Sequence, residues 1–313
     1  METNYTFACV LLDEVFKLTI ANPEHEELLR GIIELLLPGK RIGSLRFGDR
    51  EQHGLVISDK NTNFDLYCTE EGTGEQFIVE MQMAAQATYT DRMLAYATYP
   101  IHAQLAAKLG KVRAGELSPM DYSLSPVYVV SIVNFSLPHQ DERIMEDGMI
   151  SRYEIRSGRT GELMTGALNF VYLELGRLRW GEAEAGRCET LLEQFAHSVK
   201  YMHRQARRPD GFEDKLIQDL YKAAEMAGMS IEKRAQIDKQ MTTQLDINGW
   251  VKYAREEGLA EGHAKGKAEG KAEGKAETLK DNVQKLLAFG MTPEDIAKAL
   301  QMPLEEVEAL AGS

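Results

Sequence analysis

The chain has 313 residues, 43% hydrophobic and 27% charged, which is enough for a sizeable core arranged as one moderate domain with appendages or as two domains. Its formal net charge of −13 excludes a broadly basic nucleic-acid-binding surface, so any contact with phosphates must rest on a local basic patch. No apolar run approaches the roughly 20 residues of a membrane-spanning helix, and Met1 to Val10 lack the basic start and long apolar stretch of a secretory signal, so a cytoplasmic protein with no membrane partner is expected.

The first clear element is a helix. Asn22 is a good N-cap, Pro23 suits a first turn, and Leu28, Leu29, Ile32, Ile33, Leu36 and Leu37 recur at helical spacing before Pro38-Gly39. Phe64 to Glu70 and Gln76 to Met83 are short runs rich in aromatic and β-branched residues, with Gly72-Thr73-Gly74 between them, and predict a β-hairpin. From about Thr88 to Leu109, Met93, Ala97, Ile101 and Leu105 recur every four residues and Gly110 offers a stop. Pro126 to Leu137 has the continuous apolar character of a strand buried on both faces, and Met149 to Leu178 suggests further strands. Helices covering a mixed sheet give an α/β fold class.

Beyond Glu189 the pattern is helical, with Leu191, Leu192, Phe195, Val199 and Met202 on one side of the first helix. Glycines at 258, 262, 266, 270 and 274 repeat every four residues among Ala, Lys and Glu, which fits either a solvated tether or a self-association helix with a small-residue face. Thr292-Pro293-Glu294 and Pro303-Leu304-Glu305 open two short helices, a hairpin whose acidic second helix argues against DNA reading. The expected domains are 1–188, a mixed α/β core; 189–256, a helical extension; 257–277, the repeat; and 278–313, the hairpin.

Chemistry concentrates in the hairpin, where polar groups interrupt apolar strands. Glu80 and Gln82 share a face because side chains alternate along a strand. A two-residue loop at Gly72-Thr73 sets Asp65 opposite Glu80, whereas a loop at Thr73-Gly74 sets it opposite Gln82; both registers put the three on one face. Two carboxylates with Cβ atoms about 5 Å apart repel unless a cation lies between them, and hard oxygen ligands favour Mg²⁺ or Mn²⁺ over zinc. The Met81 carbonyl is a third candidate ligand. Cys9, Cys68 and Cys188 form no CxxC pair, so neither a thiolate zinc site nor a disulfide framework is expected.

Asp65, Glu80-Met81-Gln82, Asp91-Arg92 and Tyr96 together resemble the recombination-promoting nuclease and transposase family, a branch of the PD-(D/E)xK nuclease superfamily. Asp13-x-x-Phe16-Lys17, the Gly-Lys-Ala-Glu repeats and the terminal Thr-Pro-Glu-Asp-Ile-Ala segment extend the resemblance over most of the chain. It implies a restriction-endonuclease-like core, a mixed central sheet flanked by helices, carrying a helical C-terminal extension and a Mg²⁺-dependent DNA endonuclease activity linked to recombination or mobile elements. Asp65 and Glu80 would be catalytic metal ligands, and Glu34, on the helix before the sheet, an added one, although its pattern alone reads as a solvated charge. The wider superfamily has Lys where this chain has Gln82, and Gln carries no charge and cannot act as a base; it can only orient water or a phosphate oxygen.

Arg92 and Tyr96 stand four apart on a helix, placed either to reach substrate phosphate and brace the carboxylates or to bond to each other. Arg41, Arg46, Arg50, Lys108, Lys111, Arg113, Arg204, Arg207 and Arg208 are the basic residues available to track DNA. The rival expectation is a catalytically weak or inactive nuclease-fold protein that binds nucleic acid or a partner and assembles as a homo-oligomer through its C-terminal helices; the acidic net charge and Gln82 favour it.

Overall fold

Seven consecutive residues without a charge, Val127–Val133, are all buried in the computed structural model of the chain, which describes residues 5–48, 51–52, 62–116, 122–139 and 148–311. A strand buried on both faces needs a layer on each side. The layers come from α1 (Asp13–Thr19), α2 (Glu26–Leu36) and α3 (Tyr89–Arg113), joined by α4 (Leu191–Tyr201) and α5 (Lys215–Ala223). The sheet contains β1 (Leu45–Phe47), β4 (Leu66–Glu70), β5 (Gln76–Gln82), β6 (Val127–Val133), β7 (Ile150–Arg156) and β8 (Leu163–Glu174) in the order β1-β4-β5-β6-β8-β7. Strand β6 runs parallel to β5 and β8, and the other pairings are antiparallel. A separate ribbon pairs β2 (Glu51–Gln52) with β3 (Thr62–Asn63).

The two faces of β6 divide the core. Tyr128, Val130 and Ile132 join the larger cluster, which holds Phe16, Leu29, Ile33, Phe195, Val199, Ile217 and Leu220 from the helices. Val127, Val129 and Val133 join a smaller cluster with Met93 and Ala97 of α3, Phe64 and Tyr172. Residues facing each other across the ladder share a side, so Glu80, Ser131 and Tyr172 lie on the α3 face, as do Gln82, Val133 and Glu174.

Several boundaries differ from the sequence pattern. Asn22 caps, through its side chain and the Glu24 amide, a 3-10 turn over Pro23–His25, and α2 begins at Glu26. Helix α1 precedes it, unheralded by periodicity because it spans only seven residues. Helix α3 runs through Gly110 to Arg113 and is closed by Gly115, whose φ of +76° and bonds from Gly115 N to Val112 O and Glu116 N to Lys111 O form the left-handed cap that Gly110 does not adopt. The hairpin loop is longer than two residues: Glu70 N donates to Glu75 O and Gly74 N to Glu70 O, leaving Glu71 to Gly74 in the turn. The register is still the one that pairs Leu66 with Val79, so position 65 falls opposite 80.

At the end of β8 a buried carboxylate is fully engaged. Glu174 accepts from Leu137 N at 2.8 Å and Arg177 Nη1 at 3.2 Å, lies 2.8 Å from His139 Nε2, and takes the Ser151 hydroxyl as well. Glu174 is fully buried, so its carboxylate depends on these partners.

The chain divides into two compact units, Met1–Met241 and Thr242–Ser313. Helix α6 (Ile231–Ala288) includes the glycine repeat, in which Gly266, Gly270 and Gly274 are exposed with open space at each. The second unit has its own small core: Val283 packs with Ile296 and Ala297 of α7 (Pro293–Leu300) and Val307 of α8 (Leu304–Ala311). The Thr292 side chain caps α7 through Asp295 N, and Pro293 occupies its first turn, as the sequence predicts. Among the described residues no helix is long and apolar enough to cross a membrane.

Candidate active site

The ladder between β4 and β5 breaks at Asp65. Regular pairing ends at Leu66, the chain bends, and side chains take over the backbone's bonds: Asp65 Oδ2 accepts from Met81 N at 2.9 Å, and Glu80 Oε1 accepts from Asp65 N at 3.1 Å. Each carboxylate is thereby anchored on the other strand and keeps its second oxygen for other work. The Gln82 carbonyl accepts from Asn134 N at 2.9 Å on the β6 side, so by strand alternation the Met81 carbonyl is directed to the Asp65 side.

Electrostatics marks this pair. Burial pushes the Asp65 carboxyl well above the carboxylate range, and a hydrogen-bonding Asp13 carboxyl adds to the rise against the opposing Met81 amide. Burial also lifts Glu80, which is 5% exposed, and the Asp65 charge raises it further while Arg92 draws it back. Two acids so placed hold protons near neutrality unless a cation displaces them. Oxygen donors from Asp65, Glu80 and the Met81 carbonyl have the chemistry of a hard divalent site and fit Mg²⁺ or Mn²⁺. Among the described residues, no group of three or more His, Cys, Asp or Glu side chains is gathered as a metal cage.

Two residues of α1 complete the surroundings. Lys17 Nζ lies 2.7 Å from Asp13 Oδ2 and 3.9 Å from Asp65 Oδ1, bringing a positive charge to a site whose motif position holds uncharged Gln82. In the sequence, Asp13 and Lys17 stand out only as part of the family likeness. Their i,i+4 spacing, opposite the buried Val15, Phe16 and Thr19, was the available physical signal for a shared helix face.

Helix α3 supplies the opposite wall. Arg92 Nη2 donates to Gln82 Oε1 at 2.6 Å, and Gln82 Nε2 donates to Ala84 O at 2.9 Å, so both ends of the Gln82 amide are held. The Arg92 guanidinium lies 5.2 Å from the Tyr89 ring centre and 5.9 Å from that of Tyr96, while its buried Nε finds no partner among the described residues. Tyr96 packs edge-on against Phe64 at 5.2 Å, and burial raises its phenol. Arg92 and Tyr96 therefore meet as a cation over a ring, with the guanidinium tied to Gln82.

Glu34 is the exception among the expected ligands. Its Oε1 accepts from Ile42 N at 2.8 Å and its Oε2 faces Arg41 at 3.4 Å; among the described residues no bond joins it to Asp65 or Glu80. The helix that reaches the carboxylates is α1 rather than α2. Among the basic residues, Arg204 pairs with Glu182, Arg207 with Asp210 and Arg208 with Glu213, and Arg50 lies outside the described residues.

Neither the curated proteins nor the solved structures gave a match to this chain. One family model does match, over residues 10–254, the span that includes Asp13, Lys17, Asp65, Glu80, Gln82, Arg92 and Tyr96. A six-stranded mixed sheet flanked by helices agrees with that match, and the chain belongs to the PD-(D/E)XK nuclease family transposases.

Proposed function

We propose that the protein is a divalent-metal-dependent endodeoxyribonuclease that hydrolyses DNA phosphodiester bonds. The observation that carries this reading is the facing pair of buried carboxylates, Asp65 and Glu80, each anchored on the other's strand and each raised by burial. Such a pair is costly in a protein with no use for it.

Asp65, Glu80 and the Met81 carbonyl would hold the ion. When bound, Mg²⁺ lowers the pKa of a coordinated water and offsets charge developing on the scissile phosphate. The chain's own groups do the rest. Gln82, held between Arg92 and Ala84, presents an oriented amide to water or a phosphate oxygen and contributes no charge. Lys17 supplies from α1 the positive charge that the motif position lacks, and Arg92, backed by the Tyr89 and Tyr96 rings, supplies a second on the α3 side. These two cations answer the difficulty posed by the net charge of −13, because phosphate is attracted by the local field.

The test is cleavage of plasmid and linear DNA by the wild type and Asp65→Ala in Mg²⁺, Mn²⁺ and EDTA, with metal binding followed by calorimetry. Metal-dependent cutting and metal binding, both lost in Asp65→Ala, are expected. Metal binding equal in both proteins, or cutting that survives the substitution, would overturn the assignment of the site. Absence of cutting on every substrate by a wild type that binds no metal would transfer the reading to a nuclease-fold binding protein, the alternative that Gln82 favours.

A further inference from the structure

Strand β7 forms one edge of the main sheet, and five consecutive residues, Arg152 to Arg156, are exposed along it. Its inner side is bonded to β8: Glu174 N donates to Met149 O at 2.8 Å. In an antiparallel ladder such bonded pairs alternate, so the peptide groups of 149, 151 and 153 face β8 while those of Ile150, Arg152 and Glu154 face outward. Among the described residues no strand takes up this outer row, and no carboxylate pairs with Arg152, whose Nη2 donates to Leu36 O at 3.1 Å. An open edge of this kind is a template for another strand.

The sequence of β7, Ile-Ser-Arg-Tyr-Glu-Ile-Arg, says which strand. Two copies related by a two-fold axis perpendicular to the sheet must pair one residue with itself, because directly opposed residues share a face. Centring on Arg152 or on Glu154 sets like charges against each other. Centring on Tyr153 sets Arg152 opposite the partner copy's Glu154, and Glu154 opposite the partner copy's Arg152, at the outward-facing positions that exchange backbone bonds. Exposed Tyr153, at 39%, then faces its own copy as the closer, non-bonded pair.

We infer that β7 is a homodimer interface that continues the sheet from one copy into the next, in the register that pairs Tyr153 with Tyr153. The irregular register at Glu154/Ile155 and Ile155/Arg156 limits the straight part of the strand, so the ladder is short and the association reversible and concentration-dependent. This interface is independent of the nuclease reading and distinct from assembly through the C-terminal helices.

The test uses the full chain. Sedimentation velocity from low micromolar to a few hundred micromolar should reveal self-association in the wild type. Arg152→Glu and Glu154→Arg should each weaken it roughly 10-fold, since two symmetry-related pairs become repulsive, and the double variant should recover most of the loss. The double variant carries both changes, so its recovery excludes misfolding as the cause. Tyr153→Cys should in addition form an intermolecular disulfide under mild oxidation, whereas Thr160→Cys in the exposed turn beyond the strand should not; Cys9, Cys68 and Cys188 are all buried. A wild type that stays monomeric, reversals that leave association unchanged, a double variant no better than the singles, or equal cross-linking at 153 and 160 would each overturn the inference.

Discussion

Removing the two site carboxyls should change how stability depends on pH, with a sign opposite to that of most acidic groups. Asp65 and Glu80 are raised by burial, so the folded protein binds their protons more tightly than the unfolded chain does. Their contribution is fully present below the ordinary carboxyl range and is lost as pH climbs through the folded values into the neutral range. Each tenfold gain in proton affinity on folding is worth about 1.4 kcal/mol. A tenfold gain at each carboxyl makes about 3 kcal/mol, and a folded unit of 241 residues loses about 2–4 °C per kcal/mol, so the metal-free melting temperature should fall by roughly 6–12 °C between acid and mildly alkaline buffer. General self-repulsion of an acidic chain adds to this fall, and the double variant Asp65→Asn, Glu80→Gln removes only the part due to the site. Differential scanning fluorimetry in EDTA should therefore give a flatter curve for the variant, which becomes the more stable protein at high pH. Mg²⁺ should reverse the order, stabilising the wild type most where protons compete least. Superimposable pH curves for wild type and variant, or a Mg²⁺ effect equal in both, would refute the electrostatic account of the site.

Lys17→Met should lower the cleavage rate by roughly 10- to 100-fold, with Lys17→Arg partly restoring it, because the cation facing Asp65 across 3.9 Å comes from this side chain; an unchanged rate in a folded variant would remove it from the site. Glu174→Gln should weaken the bonds that this buried carboxylate accepts from Leu137 N, the Ser151 hydroxyl and Arg177 and cost about 1–3 kcal/mol, read as a denaturant midpoint shift at constant slope; a loss under about 0.5 kcal/mol would mean that water reaches the cluster.

The elements with a long, clean pattern were legible in the sequence. The apolar faces of α2 and the uncharged run of β6 follow from periodicity alone, and the polar interruptions at Asp65 and Glu80 identified the pair that the structure brings together. What was not legible has specific causes. Helix α1 is too short to develop a repeat, so the approach of Asp13 and Lys17 depends on a tertiary contact. Glu34 has the residue type of a ligand, but its helix packs where the carboxylate meets the Ile42 amide instead. The hairpin register was open by two residues until the four-residue turn, with Gly74 at φ +75°, fixed it. The buried cluster around Glu174 joins residues from 137 to 177, which no local pattern could have connected.

The central position of β6 also sets an order of events during synthesis. Val127 pairs with Gln76, already made, on one side, and with Leu168, 41 residues later, on the other. At about 5–20 residues per second, one edge of a seven-residue, charge-free and proline-free segment waits a few seconds for its partner strand. Such a segment is of the kind that forms intermolecular strands when left open. The nascent chain is thus most exposed to aggregation between completion of β6 and emergence of β8, and translational slowing in that interval should lower soluble yield more than slowing after residue 174.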